Sequence, residues 1–238
     1  MSQPPVPAIA IPRVLARSLL LLLAALPGLL LLAALPGLLL LAAFPGLLLL
    51  AACDSGPPRL AKLPADGVVL AFGDSLTHGT GARAEASYPA VLQELIGRRV
   101  LRAGVPGEIT AEGLTRLPGV LQDGAPDLLV LIHGGNDLLQ RRAREDTLAN
   151  LSAMVRLARK RGVAVVLLGV PNLGLILDRS AGFYEELAEE LEVPYDGEAL
   201  PAILKQPNLK SDAIHPNAQG YRKLAEAVAE LLRRSGAI

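Results

Sequence analysis

The sequence predicts one α/β domain, a parallel sheet with helices on both faces, behind a long hydrophobic front segment. Three observations predict it. From about residue 66 onward, short apolar runs alternate with segments whose apolar residues recur at helical spacing. Two of the runs, Asp127–Ile132 (apolar from its second residue on) and Val163–Gly169, have the near-continuous apolar character that strands buried on both faces require. The order, strand then helix repeated four times, is the one that gives parallel pairing with right-handed crossovers. The part concerned is about 170 residues long, enough for one domain with its own core.

Taken from its start, the chain opens with residues 1–18, which carry Arg13 and Arg17 among prolines and no acidic residue. An uncharged run from Leu19 to Ala52 follows, longer than the ~20 residues a membrane span needs. It contains a short repeat, LLLLAALPG over Leu29–Gly37 and LLLLAAFPG over Leu38–Gly46, which is low-complexity sequence rather than a solenoid unit. Pro27, Pro36 and Pro45 would kink a continuous helix. Basic residues, an apolar core and small residues before a break describe an export signal. The run ends in Leu50-Ala51-Ala52-Cys53, which resembles the lipobox of bacterial lipoproteins and uses the single cysteine of the chain. That resemblance implies lipidation of Cys53; an uncleaved N-terminal anchor is the other reading. Both predict a domain outside the cytoplasm, tethered to the membrane. The segments are therefore 1–52 as signal, 53–66 as linker and 67–238 as the folded domain. The 51% hydrophobic content owes much to the front segment, and zero net charge gives no reason to expect a nucleic-acid partner.

Within the domain, Val68–Phe72 reads as the first strand, and Ser87–Ile96, closed by Gly97, as a helix. Arg99–Ala103 is a shorter strand and Thr110–Leu121 a helix. After the Asp127–Ile132 strand comes a long amphipathic helix, Arg144–Arg161, whose basic C-terminal end suits the helix dipole. Val163–Gly169 is the fourth strand, Gly182–Leu191 a helix, and Val193–Tyr195 a weaker fifth strand. A final helix runs from Asn217 to Arg234, with Leu224, Ala227, Val228 and Leu231 on one face.

In a parallel sheet, the loops that follow successive strands share one edge, where open α/β sheets carry their chemistry. Four segments meet there: Gly73-Asp74-Ser75, Ala103–Glu108 with its glycines, His133-Gly134-Gly135-Asn136-Asp137, and Asp212-Ala213-Ile214-His215. A serine, glycine N–H donors, an amide and an Asp-x-x-His are the parts of a serine hydrolase. A serine hydroxyl is a weak nucleophile near neutral pH, and imidazole, with a pKa near 6.5, can take its proton. Of the three histidines, His215 has an acidic neighbour in Asp212. His133 ends a buried strand and suits a structural role, and His78 has no acidic partner. Asp212 has a simpler alternative as a cap for the last helix. The Gly-x-Ser-x-Gly elbow is absent, because Thr77 stands in place of its second glycine. No metal or cofactor is expected: there is no His-x-x-x-His, no cysteine cluster, and no phosphate loop ending in lysine.

The segments GDSLTHG (73–79), AGVPGE (103–108), GGND (134–137) and DAIHPN (212–217) resemble, in order, the four blocks of the SGNH, or GDSL, hydrolases. Within that family they look most like the bacterial thioesterase/lysophospholipase/arylesterase group. The resemblance implies a three-layer α/β/α domain with a mostly parallel, five-stranded, flavodoxin-like sheet. It makes Ser75 the nucleophile, with its own N–H in the oxyanion hole beside the Gly107 N–H and the Asn136 side-chain amide. Asp212 and His215 complete the triad. Gly104 lies close enough to Gly107 to leave that register open. Arg102 stands where the second block often has Asn, a departure that bears on a supporting hydrogen bond and not on the triad.

The expected reaction is hydrolysis of a carboxylic ester or thioester through an acyl-Ser75 intermediate. The apolar segment Leu173-Gly174-Leu175-Ile176-Leu177 suggests an acyl groove or a membrane-facing rim, with a buried turn as the alternative. Aryl, acyl or lysophospholipid-type esters lead as the substrate class. A cell-envelope carbohydrate deacetylase is the runner-up. A membrane-tethered binding protein without activity is the alternative from another class, and it would be signalled by a missing triad or oxyanion residue.

Overall fold

The computed structural model describes residues 56–171 and 180–238. Cys53, its upstream run and the Leu173–Leu177 segment lie outside the described residues. Five strands form one sheet: β1 Val68–Gly73, β2 Arg99–Gly104, β3 Leu128–Ile132, β4 Ala164–Leu168 and β5 Tyr195–Asp196. Their order is β2-β1-β3-β4-β5 and every pairing is parallel. This is the flavodoxin-like order, in which the chain leaves β1 in opposite directions along the sheet.

The helices are α1 Ser75–His78, α2 Tyr88–Ile96, α3 Thr110–Gly124, α4 Gly135–Leu139, α5 Arg144–Lys160, α6 Phe183–Glu190, α7 Ala199–Lys205 and α8 Ala218–Arg234. α2, α7 and α8 pack together on one face of the sheet, and α3, α5 and α6 on the other. All of β3 and most of β1 and β4 are buried, which explains their continuous apolar runs. β2 is the edge strand, and its exposed Arg99 and Arg102 discourage pairing with another chain.

Several details differ from the sequence expectation, among them the short helix α4 where a loop was expected. The fifth strand pairs over Tyr195–Asp196 rather than Val193–Tyr195; Val193 is buried by packing, not by laddering. Ala199–Lys205 is a helix that was not expected, with Leu200, Ile203 and Leu204 turned inward. The linker expected over 53–66 is docked in its second half. The Leu60 N–H donates to the Ser235 carbonyl and the Leu63 N–H to the Ala237 carbonyl, each at 2.8 Å, and the Leu63 side chain is buried. Small as it is, that strip covers the end of α8.

The sheet also sets the site. Gly73 is in register with Gly104 on one side and Ile132 on the other, so the loops after β1, β2 and β3 leave side by side.

Candidate active site

Gly73 ends β1 so tightly that a Cβ there would lie 1.7 Å from the Ile132 carbonyl oxygen. The chain then turns at Asp74, whose Oδ1 accepts the Leu76 N–H at 3.1 Å and so starts α1. Asp74 is almost wholly buried, and burial raises its pKa against the opposing pull of His133 and of backbone N–H groups. Ser75 is therefore the first residue of a short helix at the sheet edge. Its own N–H has no protein acceptor among the described residues.

The loop before the last helix delivers the base. Lys210 and Pro216 bridge, the Ser211 N–H donates to the His215 carbonyl at 2.9 Å, and a tight loop closes between them. Asp212 Oδ1 accepts the N–H groups of Ile214 and His215, both at 2.8 Å. Asp212 Oδ2 lies 2.8 Å from His215 Nδ1, and His215 Nε2 lies 2.9 Å from Ser75 Oγ. A carboxylate only accepts, so Nδ1 carries the ring proton of the neutral imidazole and Nε2 is left to accept from the serine hydroxyl. Partial burial works against the Asp212 charge, but the bonds from His215 and from the two backbone N–H groups outweigh it and lower its pKa. The cap of α8 is Asn217, whose Oδ1 accepts from Gln219 and Gly220, so capping leaves Asp212 free to face the imidazole.

Asn136 sits in α4 and lines the same pocket as Ser75 and His215. Its Nδ2 donates to the Glu108 carbonyl at 2.9 Å, which leaves its second amide hydrogen for a ligand. Gly107 is on the loop after β2 with φ +83°, its N–H without a protein acceptor among the described residues. It does not line the pocket around Ser75; it is tied to it through its neighbour Glu108 and Asn136. Gly104 is a strand residue that lets β2 pass close to α1: a Cβ there would lie 2.1 Å from the His78 nitrogen. Arg102 reaches the His78 carbonyl at 3.3 Å, so the position that departs from the family block still touches α1. The remaining pocket walls are apolar: Leu76, Leu139, Val170, Pro171, Leu204 and Ile214.

Sequence reasoning missed a buried cluster behind these groups. Glu108 accepts from Arg116 Nε and Nη2, each at 2.7 Å, and lies 3.2 Å from His133 Nε2. His133 Nδ1 accepts the Gly134 N–H at 2.9 Å, so its proton is on Nε2 and donated to Glu108. Burial opposes the Glu108 charge, yet Arg116 and His133 more than offset it and bring its pKa down to about 2. Asp137, the last residue of the GGND block, is likewise buried and accepts the Thr110 N–H and hydroxyl at 2.9 and 2.6 Å, capping α3. The available signal was Arg116, a charge three residues beyond Gly113 at the margin of an apolar stripe.

Residues 71–223 match the model of the GDSL-like Lipase/Acylhydrolase family. An arylesterase of Vibrio mimicus is 30% identical over 174 residues, covering 69% of this chain and 87% of its own. The thioesterase 1/protease 1/lysophospholipase L1 of Escherichia coli is 30% identical over 176 residues, covering 69% and 83%. The crystal structure of AlinE4, an SGNH-hydrolase family esterase, superposes with a TM-score of 0.56 at 32% identity, covering 73% of this chain and 98% of that one.

Proposed function

The chain belongs to the GDSL-like lipase/acylhydrolase family and is a serine hydrolase of ester and thioester bonds; we propose that Ser75, His215 and Asp212 carry the reaction. The observation that carries this reading is the unbroken line from Ser75 Oγ through the His215 ring to Asp212, with contacts of 2.9 and 2.8 Å. As Ser75 Oγ attacks the substrate carbonyl carbon, its proton passes to His215 Nε2, and Asp212 steadies the imidazolium. The negative charge on the carbonyl oxygen is met by the N–H groups of Ser75 and Gly107 and by Asn136 Nδ2. His215 then returns the proton to the leaving alkoxide or thiolate, which departs and leaves acyl-Ser75. Water, losing its proton to the same Nε2, hydrolyses that ester.

The apolar walls beside Ser75 favour an acyl or aryl group in the pocket, so aryl, acyl and lysophospholipid-type esters form the proposed substrate class. The relatives named arylesterase and lysophospholipase support it. The proposal extends to location: a domain outside the cytoplasm, held to the membrane through Cys53. Its support lies in Arg13, Arg17, the uncharged Leu19–Ala52 run and Leu50-Ala51-Ala52-Cys53.

The test is hydrolysis of p-nitrophenyl esters with acyl chains from two to sixteen carbons, with Ser75→Ala beside the natural chain. Turnover that prefers longer chains and vanishes in Ser75→Ala is expected, together with phosphonate labelling of Ser75 alone. Activity confined to the acetyl ester would point instead to deacetylation, and full activity in Ser75→Ala would overturn the triad.

A further inference from the structure

We propose that Glu108 is a positioning residue for the oxyanion hole: its carboxylate, clamped by Arg116 and His133, holds the Gly107 N–H and the Asn136 amide in one frame. The inference rests on the oxyanion roles given above to Gly107 and Asn136. Glu108 touches both. Its peptide nitrogen follows Gly107 directly, and its carbonyl accepts from Asn136 Nδ2 at 2.9 Å.

What fixes Glu108 is on its other side. The Arg116 guanidinium grips the carboxylate through two 2.7 Å bonds. The same guanidinium donates to the Ala103 carbonyl at 3.2 Å, at the end of β2, and lies 4.1 Å over the ring of Phe72, next to Gly73. His133, fully buried, donates to Glu108 and accepts from Gly134, the N-cap just before α4, the helix that carries Asn136. The Tyr184 hydroxyl donates to the His133 carbonyl at 2.8 Å and closes the back of the cluster. One carboxylate thus ties together the ends of β1, β2 and β3, which carry Ser75, Gly107 and Asn136.

A buried carboxylate held by a half-buried guanidinium is a costly way to fix a loop for stability alone, since apolar packing does that as well or better. What a forked, three-way grip adds is direction. Direction is what an oxyanion hole needs, because donors help only when aimed at the oxygen of the transition state. A misplacement of about 1 Å costs on the order of 10²-fold in rate.

The experiment compares kcat and KM for a p-nitrophenyl ester in Glu108→Gln, Asn136→Ala, the double variant and Arg116→Lys, each with its thermal melt. Glu108→Gln is expected to lower kcat by about 10- to 10²-fold with KM changed by less than about threefold. Asn136→Ala should lose about 10²–10³. The double variant should lose clearly less than the product of the two factors, because both disturb one hole. Arg116→Lys keeps a charge facing Glu108 but not the fork, and should lower kcat in the same sense by about 3- to 10-fold. It serves in its place if Glu108→Gln does not fold. An unchanged kcat in a folded Glu108→Gln or Arg116→Lys, a shift in melting alone, or a fully multiplicative double variant overturns the proposal. An unchanged kcat in Asn136→Ala overturns the oxyanion reading and the inference with it.

Discussion

Asp212 is half exposed, but its two oxygens do different work. Oδ1 holds the Ile214 and His215 N–H groups and so shapes the loop; Oδ2 alone faces the imidazole. Asp212→Asn can keep the first function and reverses the second, presenting N–H donors to Nδ1 and driving the ring proton to Nε2. Serine then has no acceptor. Turnover should fall by about 10⁴-fold with little change in melting temperature, as measured by ester hydrolysis beside a thermal melt. Glu108 supplies the pH dependence at this scale. Its folded pKa, about 2, lies below its ordinary 4.5, so its contribution to stability is fully present above 4.5 and is lost as pH falls toward 2. The Arg116 fork and the His133 N–H, which hold the charge despite its burial, are the source of that contribution. Denaturant unfolding between pH 5 and 2.5 should show the advantage of the natural chain over Glu108→Gln shrinking steadily as pH falls. A constant gap would sink the idea.

Among the elements, β1 and its exit turn leave the least room. Gly73→Ala would drive a methyl group into the Ile132 carbonyl, between two backbones that cannot part without breaking the β1–β3 register. It should destabilise the chain by more than about 3 kcal/mol, read by chemical denaturation. The central strands were legible because a strand buried on both faces must be continuously apolar, and Leu128–Ile132 is. α4 and α7 were not. Five residues beginning with Gly135 read as loop, and Pro201 inside Ala199–Lys205 masked the inward spacing of Leu200, Ile203 and Leu204. The grouping of Ser75, Asn136 and His215 at one edge was legible because parallel topology forces the loops after strands together. The Glu108–Arg116–His133 cluster was not, since no local pattern says that a charge on α3 meets one on the loop before it and a histidine at the end of β3. Burial decides that, and burial of a charge is a tertiary event.

At the scale of the molecule, the strip from Arg59 to Leu63 belongs to the domain. It adds two backbone hydrogen bonds and one buried leucine, together about 3 kcal/mol. A chain beginning at Gly56 should therefore melt well above one beginning at Gly67, which loses the strip; equal melting temperatures would show that the strip contributes nothing. The strip lies against the end of α8 and feeds the start of β1, and β1 then runs its six residues, about 20 Å, before the chain reaches Ser75. The polypeptide enters the domain at the pole opposite the catalytic one. Chain entry and substrate entry therefore lie at opposite ends of the sheet, so whatever holds the strip in place leaves the mouth above Ser75 unobstructed.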